Sequence, residues 1–178
     1  MWWAYANGWA TMIKFEESPV WFIALIVIVP IWAGFYFYMH HRLLHVGFMY
    51  RHVYSWRHRN INTGPWPGVA MHPVESFILM TDTLMFFLAP AHPIHVIFQL
   101  FHHGVGAPTS HAGFEKVKIG NGGIEVGDFF HQLHHRFFDC NYGTWETPLD
   151  TWFGTFHDGT ERGNELTKER RRRIWATK

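Results

Sequence analysis

An uninterrupted apolar run constrains this chain more than any other feature. Residues 20–39 contain no charged side chain, and a helix of twenty residues spans roughly 30 Å, the thickness of the hydrocarbon core of a bilayer. Pro30 lies in mid-run, where a membrane helix tolerates it. A buried core helix would be shorter, and a signal peptide is disfavoured by the mixed charges of Lys14, Glu16 and Glu17 and the lack of a cleavage site. We therefore predict a membrane span over residues 20–39.

The charges that flank this run predict its orientation. Four arginines follow it closely, namely Arg42, Arg51, Arg57 and Arg59. Lys14 precedes it together with two acidic residues. The positive-inside rule then places everything after residue 39 on the cytoplasmic side. The basic run at 168–173 would favour an anionic cytoplasmic leaflet, and a solvated, frayed C-terminus is the alternative.

A second apolar zone covers residues 77–101 and is broken by polar groups and prolines. The interrupting residues are Asp82, Pro90, His92, Pro93 and His95. In a straight lipid-exposed helix these polar groups would be unsatisfied, which is costly in hydrocarbon. We predict instead a re-entrant hairpin that turns near residues 89–91, with its polar groups facing protein or water.

Composition limits the remaining possibilities. A length of 178 residues suits one domain, and 48% hydrophobic residues exclude global disorder. Cys140 is the only cysteine, which excludes a disulfide framework and a cysteine-rich zinc module. The near-balance of 15 basic and 14 acidic residues predicts no nucleic-acid partner. Residues 104–127 are rich in glycine without a sustained period and predict a loop, whereas 128–136 predict a helix. The expected fold is all-α.

Histidine spacing is the main indication of chemistry. All but one of the 15 histidines fall between residues 40 and 135, and neutral imidazole is the commonest protein metal ligand. His41 and His45 share a helix face at i, i+4. His131, His134 and His135 share a face at i, i+3, i+4, so two of them could hold one metal ion and the third a neighbouring one.

Four further histidines are less informative by spacing alone. His52 would lie about 16 Å along the helix axis from His41, which makes His58 the better ligand in that segment. His72 and His111 are isolated, and isolated histidines are more often hydrogen-bonded structural residues than ligands.

Taken in order, five segments resemble the fatty acid hydroxylase/sterol desaturase superfamily of membrane-bound, histidine-rich di-iron oxygenases. The matching segments are HRLLH at 41–45, RHRNINTGPWPGVAMHPVE at 57–75, SHAGFEK at 110–116, GDFFHQLHHRFFDCNYG at 127–143 and PLDTWFGTFHDG at 148–159. The chain looks most similar to bacterial members of the sterol desaturase branch. The similarity covers roughly residues 39–159.

The resemblance implies a single domain over residues 1–178. Its parts would be the membrane span at 20–39, a cytoplasmic, helical and loop-rich histidine-box cap at 40–159, and a basic tail at 160–178. The membrane helices would comprise the span and the broken hairpin, a reduced set for the family, because the stretch before the first box is short. A location in the bacterial inner membrane follows.

The resemblance also implies the chemistry. Two non-haem iron ions would activate O2, with zinc a possible substitute ion, and would hydroxylate or desaturate a C–H bond of a membrane lipid. Electrons would come from a separate donor such as a cytochrome, a ferredoxin or a reductase. The metal ligands would be His41, His45, His58, His72, His111, His131, His134 and His135. Glu75, Asp128 and Asp150 are candidate partners of these ligands, or ordinary capping carboxylates.

One departure from the family pattern bears on activity. Where the family has the box H-x-x-H-H, residues 54–58 place Tyr54 and Arg57 at two histidine positions. Arginine stays protonated and cannot ligate a metal. The alternative hypotheses are therefore a metal-binding but catalytically impaired relative with a structural or regulatory role, and a membrane anchor with a static zinc site.

Overall fold

The computed structural model describes residues 1–61, 64–112, 116–120, 122–125, 128–144 and 147–176. Within these ranges the α-helices are α1 (Trp2–Ala6), α2 (Pro19–Leu44), α3 (Gly47–Met49), α4 (Pro65–Val69), α5 (Pro73–Met80), α6 (Pro93–Thr109), α7 (Asp128–Phe137), α8 (Leu149–Trp152) and α9 (Glu161–Ala176). A π-helical turn at Tyr50–Tyr54 and 3₁₀ helices at Arg57–Arg59 and Thr81–Phe87 connect some of them. Two short strands, β1 (Lys116–Ile119) and β2 (Gly122–Glu125), pair antiparallel.

Helix α2 contains the predicted membrane span. It begins after Ser18 with proline at its first position, which suits a helix start. Its most apolar window has a mean hydropathy of 2.3, and only 22% of that window is buried. Such low burial argues against a core helix. Because 26 residues span about 39 Å, the last turn extends beyond the hydrocarbon thickness and carries the first histidine box.

A hairpin that turns near the predicted position is also present, and its re-entry into the membrane stays a prediction. Helix α5 and the following 3₁₀ helix lead into a turn at residues 88–92, and α6 returns to pack against α2. Asp82 is fully buried and accepts hydrogen bonds from Gln99 (2.6 Å) and His103. The Nε2 atom of His95 donates to the carbonyl of Phe22 at 2.9 Å. These polar side chains therefore face protein, as predicted, while large apolar residues such as Phe77, Leu84, Leu88, Ile97 and Phe101 face outward.

The prediction of a loop over residues 104–127 is wrong, because regular structure occupies both parts of this stretch. Helix α6 continues through Gly104, Gly106 and Pro108, and the two strands follow. Glycine in a helix costs roughly 1 kcal/mol, and this glycine-containing helix nevertheless packs against α4. A Cβ atom on Gly68 would lie only 2.4 Å from the carbonyl oxygen of Ala107. The absence of a side chain at Gly68 allows this approach, which the pattern of the sequence did not reveal.

The basic tail forms helix α9 and contacts the segment that follows α7. Arg171 forms an ion pair with Asp139 and also binds the carbonyl of Phe137, and Arg170 binds the carbonyl of Asp139. Up to residue 176 the tail is thus helical rather than frayed. Contact of the basic run with an anionic leaflet stays a prediction.

Candidate metal centre

Four segments bring histidines together beyond the C-terminal end of α2. The first comprises His41 in the last turn of α2 and its cap His45, and the second is the 3₁₀ turn with His58. The segment after α6 supplies His111, and α7 supplies the last box. Two groups of candidate ligand atoms result, each with all atoms within 4.8 Å of one another. The four-histidine cluster is His41, His45, His58 and His134, and the three-histidine cluster is His111, His131 and His135.

The four-histidine cluster has the spacing that one metal ion requires. The Nε2 atoms of His45 and His134 are 3.2 Å apart, those of His58 and His45 are 3.2 Å apart, and those of His134 and His58 are 3.3 Å apart. The ring centroid of His41 lies 4.3 Å from that of His134. Nitrogens bound tetrahedrally at about 2.0–2.1 Å to one ion would be about 3.3 Å apart. The donor set therefore fits a metal ion.

Backbone carbonyls fix the orientation of three of the clustered rings, two in the four-histidine cluster and one in the three-histidine cluster. The Nδ1 atom of His41 donates to the carbonyl of Tyr142 (2.6 Å), and that of His134 donates to Cys140 (2.6 Å). In the three-histidine cluster, Nδ1 of His111 lies 2.7 Å from the carbonyl of Ala107. Because a carbonyl oxygen only accepts, the proton of each neutral ring belongs on Nδ1 and the lone pair on Nε2. Such partners orient metal-binding imidazoles.

The loop that supplies the Tyr142 carbonyl is held by two polar side chains. Asn141 adopts a positive φ of 52°, which asparagine tolerates better than most residues. Its side chain donates to the carbonyls of Phe130 and His157, both at 3.0 Å. The carboxylate of Asp150 accepts from the backbone N–H groups of Tyr142 (2.9 Å) and Gly143 (2.7 Å). Asp150 thus acts on the cluster through the backbone.

The three-histidine cluster lies beside a buried cation. Its His111 and His135 Nε2 atoms are 3.1 Å apart, and among the described residues Nε2 of His131 is buried without a hydrogen-bond partner. A guanidinium nitrogen of Arg57 lies 3.3 Å from Nε2 of His111. The other terminal nitrogen of Arg57 pairs with Glu75 at 3.1 Å, and both side chains are 4% exposed. The imidazoles suit a second ion, but the adjacent guanidinium opposes it.

The other altered box residue contacts the four-histidine cluster. The hydroxyl of Tyr54 lies 2.8 Å from Nε2 of His41. Because the proton of His41 is on Nδ1, the phenol donates this hydrogen bond. Burial raises the pKa of Tyr54 well above its usual value, so the phenol stays protonated at neutral pH. Tyr54 therefore contacts the four-histidine cluster as a neutral hydrogen-bond donor.

Electrostatics keep the clustered histidines neutral. Burial, reinforced by the neighbouring His135, lowers the pKa of His45 to about 3. Burial, followed by the positive charge of Arg57, lowers the pKa of His111 to about 4. The same burial lowers the pKa of His58, His131, His134 and His135 well below the usual value. At neutral pH the rings are therefore in the form that binds metal.

Seven of the eight histidines that the sequence pointed to lie in the two clusters, and His72 does not. His72 is the N-cap of α5, where Nδ1 accepts from the N–H of Val74 at 3.2 Å and Glu75 completes a capping box. The H-P-x-E pattern itself was the signal for this cap. Glu75 therefore pairs with Arg57 and accepts from the backbone N–H of His72 in the capping box, and it does not orient the ring of a clustered histidine. The side chain of Asp128 lies outside the described part of the chain.

A cavity of about 110 Å³ lies beside the three-histidine cluster, between α2 and α6. Its polar wall includes His111, His131 and Arg57. Apolar and small residues form much of the remainder, namely Ala33, Gly34, Phe37, Met71, Leu79, Gly106 and Ala107. The cavity thus connects the candidate metal centre with the faces of the two long apolar helices.

Fold and site together define an α-helical membrane protein with a polyhistidine metal-binding pattern. The profile of the family "Fatty acid hydroxylase" matches residues 25–155, and the chain belongs to this family. This agrees with the resemblance inferred from the motifs.

The chain is similar to several named sterol-oxidising proteins. Over 128 residues the chain is 28% identical to a Delta(7)-sterol 5(6)-desaturase of Gibberella zeae, covering 66% of this chain and 37% of the relative. It is 27% identical over 153 residues to lathosterol oxidase of Rattus norvegicus, with coverages of 85% and 48%. It is 24% identical over 163 residues to a Delta(7)-sterol-C5(6)-desaturase of Nicotiana tabacum, with coverages of 87% and 58%. The chain spans about half the length of the curated relatives it matches. No solved structure matches it significantly.

Proposed function

We propose that this chain is a membrane-bound oxidoreductase that uses O2 to hydroxylate or desaturate a C–H bond of a lipid, such as a sterol or a fatty acyl chain. The observation that carries the proposal is the position of the histidine clusters next to a largely apolar cavity between α2 and α6. The names of the relatives, which are sterol desaturases and a sterol oxidase, support the same class of substrate.

We propose iron as the metal, with one ion in each cluster in the fully loaded protein. The four-histidine cluster would hold one ion, and His111, His131 and His135 would hold the other. Imidazole alone does not select iron over zinc. Iron supplies, when bound, the redox chemistry that oxidation of an unactivated C–H bond requires, and zinc has none.

The protein's own residues orient and enclose the reacting groups. The carbonyls of Tyr142, Cys140 and Ala107 hold three imidazoles with Nε2 free. His111 and His131 line the cavity, so the three-histidine cluster is the one that faces the lipid. Apolar walls exclude water and align the chain or ring of the lipid along α2 and α6.

The location and the electron donor form part of the proposal. The arginines that follow the apolar run at 20–39, including Arg42, Arg51 and Arg59, support a cytoplasmic position for the histidine clusters by the positive-inside rule. A bacterial inner membrane and a separate cytochrome, ferredoxin or reductase would complete the system. Reporter fusions at either terminus test the sidedness, and a periplasmic signal from a C-terminal fusion would contradict it.

The decisive experiment measures oxidised lipid together with bound iron. The full chain in lipid nanodiscs, loaded with Fe²⁺, should consume O2 in the presence of a reductant and a sterol or fatty acyl lipid, and ¹⁸O2 should label a hydroxylated product or the water formed on desaturation. His134→Ala should abolish turnover, whereas His52→Ala, at an exposed histidine outside both clusters, should retain it. Iron-loaded protein that oxidises neither lipid class with any donor type would refute the proposal.

A second candidate function is a metal-binding relative without catalytic activity, serving a structural or regulatory role. The specific observation in its favour is the guanidinium of Arg57 at 3.3 Å from Nε2 of His111. In that case both the native chain and Arg57→His would retain metal and remain without O2 consumption. A static zinc site would also lack the optical features of iron.

A further inference from the structure

We infer that the two clusters load metal unequally: the four-histidine cluster binds its ion tightly, and the three-histidine cluster binds weakly because Arg57 is fixed beside His111. This inference rests on the proposed metal centre, and it concerns the order of loading, which the family resemblance does not specify. The determinant is the buried ion pair of Arg57 and Glu75. The family pattern has a histidine at position 57, so this ion pair is a feature of the present chain.

Arg57 engages the nitrogen of His111 that an ion would need. Nδ1 of His111 is bound to the carbonyl of Ala107, so Nε2 carries the lone pair of the neutral ring. The guanidinium of Arg57 lies 3.3 Å from this atom and can only donate. A metal ion in the three-histidine cluster must therefore displace this hydrogen bond and tolerate a neighbouring positive charge.

Surrounding contacts hold Arg57 in place. Its side chain is 4% exposed and pairs with Glu75, whose second carboxylate oxygen accepts from the backbone N–H of His72 at the start of α5. On the other side of His111, a Cβ atom on Gly68 would lie 2.8 Å from Nδ1, so α4 packs directly against the ring. These contacts hold the arginine and the imidazole in their observed positions.

Charge distinguishes the two clusters. The altered box residue at the four-histidine cluster is Tyr54, a neutral phenol that donates to Nε2 of His41. An ion can replace this hydrogen bond without meeting a like charge. Glu75 offsets the charge of Arg57 only in part, because it binds one terminal nitrogen while the other faces His111. A metal ion therefore meets electrostatic repulsion in the three-histidine cluster, and it binds there more weakly than in the four-histidine cluster.

Stepwise titration with Co²⁺ alone tests the inference. The full chain in nanodiscs, freed of metal with a chelator, should bind one equivalent tightly and a second on the order of 10- to 100-fold more weakly, the range typical of changes around metal ligands. Metal analysis counts the ions, and the absorption of bound Co²⁺ reports each step. Arg57→His should bring the second affinity close to the first.

Two further variants separate charge from ligand number and from nonspecific effects. Arg57→Met/Glu75→Gln removes both charges without adding a ligand and should strengthen the second step, and it serves also if Arg57→His fails to fold. Arg59→His adds a histidine to the same turn at an exposed position and should leave both steps unchanged. Circular dichroism confirms the fold of each.

Several results would overturn the inference. These are two equal steps in the native chain, no tight step, or an unchanged second step in both Arg57 variants. The inference would also be overturned if Arg59→His strengthened the second binding step as much as Arg57→His does. Two equal steps together with lipid oxidation would leave the proposed function standing. Unequal steps without lipid oxidation after saturation with Fe²⁺ would refute the function and retain the loading order.

Discussion

The carbonyl oxygen of Tyr142 lies 2.6 Å from Nδ1 of His41, although 101 positions separate the two residues in the chain. This contact joins the end of the membrane helix to the loop after α7. The loop is fixed in turn by Asp150, which accepts from two of its N–H groups. The orientation of the candidate ligand His41 thus depends on a carboxylate that touches none of the clustered imidazoles directly.

Replacement of Asp150 should loosen this arrangement. Asp150→Ala leaves the buried N–H groups of Tyr142 and Gly143 unsatisfied, and we expect a loss of about 3 kcal/mol in stability. Weaker Co²⁺ binding by the four-histidine cluster should accompany it. Thermal unfolding in detergent and metal titration measure the two effects. Glu165→Ala, at an exposed position on α9, is the control, and equal losses in both variants would contradict the role of Asp150.

Removal of the Tyr54 hydroxyl should show whether it competes with a metal ion for Nε2 of His41 or is itself a metal ligand. Tyr54→Phe deletes the hydrogen bond to Nε2 of His41, which is worth about 1 kcal/mol. We therefore expect slightly lower stability without metal, and Co²⁺ binding at the first step that is undiminished or tighter. Denaturant unfolding and metal titration provide the readouts. Loss of the first bound ion would instead show that the phenol oxygen is a ligand.

The cavity wall at Gly106 should determine access of the lipid. A Cβ atom on Gly106 meets nothing within 4 Å, and the residue lines the cavity. Gly106→Leu should therefore fill part of the cavity and reduce lipid turnover at least about tenfold, equivalent to about 1.4 kcal/mol. Bound metal should not change.

Gly104 is the matched control for this prediction. It lies two residues earlier on α6, has equally open space and is exposed outside the cavity. Gly104→Leu should retain turnover. A loss of activity of similar size in both variants would attribute the effect to α6 as a whole, and unchanged turnover in Gly106→Leu would remove the cavity from the lipid path.

The single cysteine should be unreactive in the folded protein. Cys140 is fully buried, and burial raises the pKa of its thiol to about 12. The thiolate is the reactive form, so at pH 8 the side chain is almost entirely protonated. We expect iodoacetamide to label the native chain at least about 100-fold more slowly than the denatured chain. Mass spectrometry follows the reaction, and rapid labelling of native protein would contradict the burial of this segment.

The histidine pattern predicted one division that the structure contains. Spacing allowed two histidines of the last box to hold one ion and the third a neighbouring one. His131 and His135 do join His111, and His134 joins the other cluster. Spacing could not identify the partners, because the partners lie on distant segments whose approach depends on the packing of α7 against the end of α2.

Other residues show where local pattern was insufficient. The motif around His72 resembles that of a ligand, yet His72 caps α5. Its ring nitrogen accepts a hydrogen bond from the N–H of Val74, in the first turn of this proline-initiated helix. Residues 104–109 read as loop by glycine content, yet they complete α6, where Gly68 of α4 lies close to the carbonyl of Ala107.

The sequence by itself determined the membrane span, the broken hairpin, the family and the histidines from which the clusters are built, because apolar length, helical periodicity and motif order are local properties of the chain. Only the tertiary structure decided which imidazoles share a cluster and that Arg57 and Glu75 form a buried pair beside His111. These relationships join segments far apart in sequence, and they depend on how helices pack and which charges that packing removes from water.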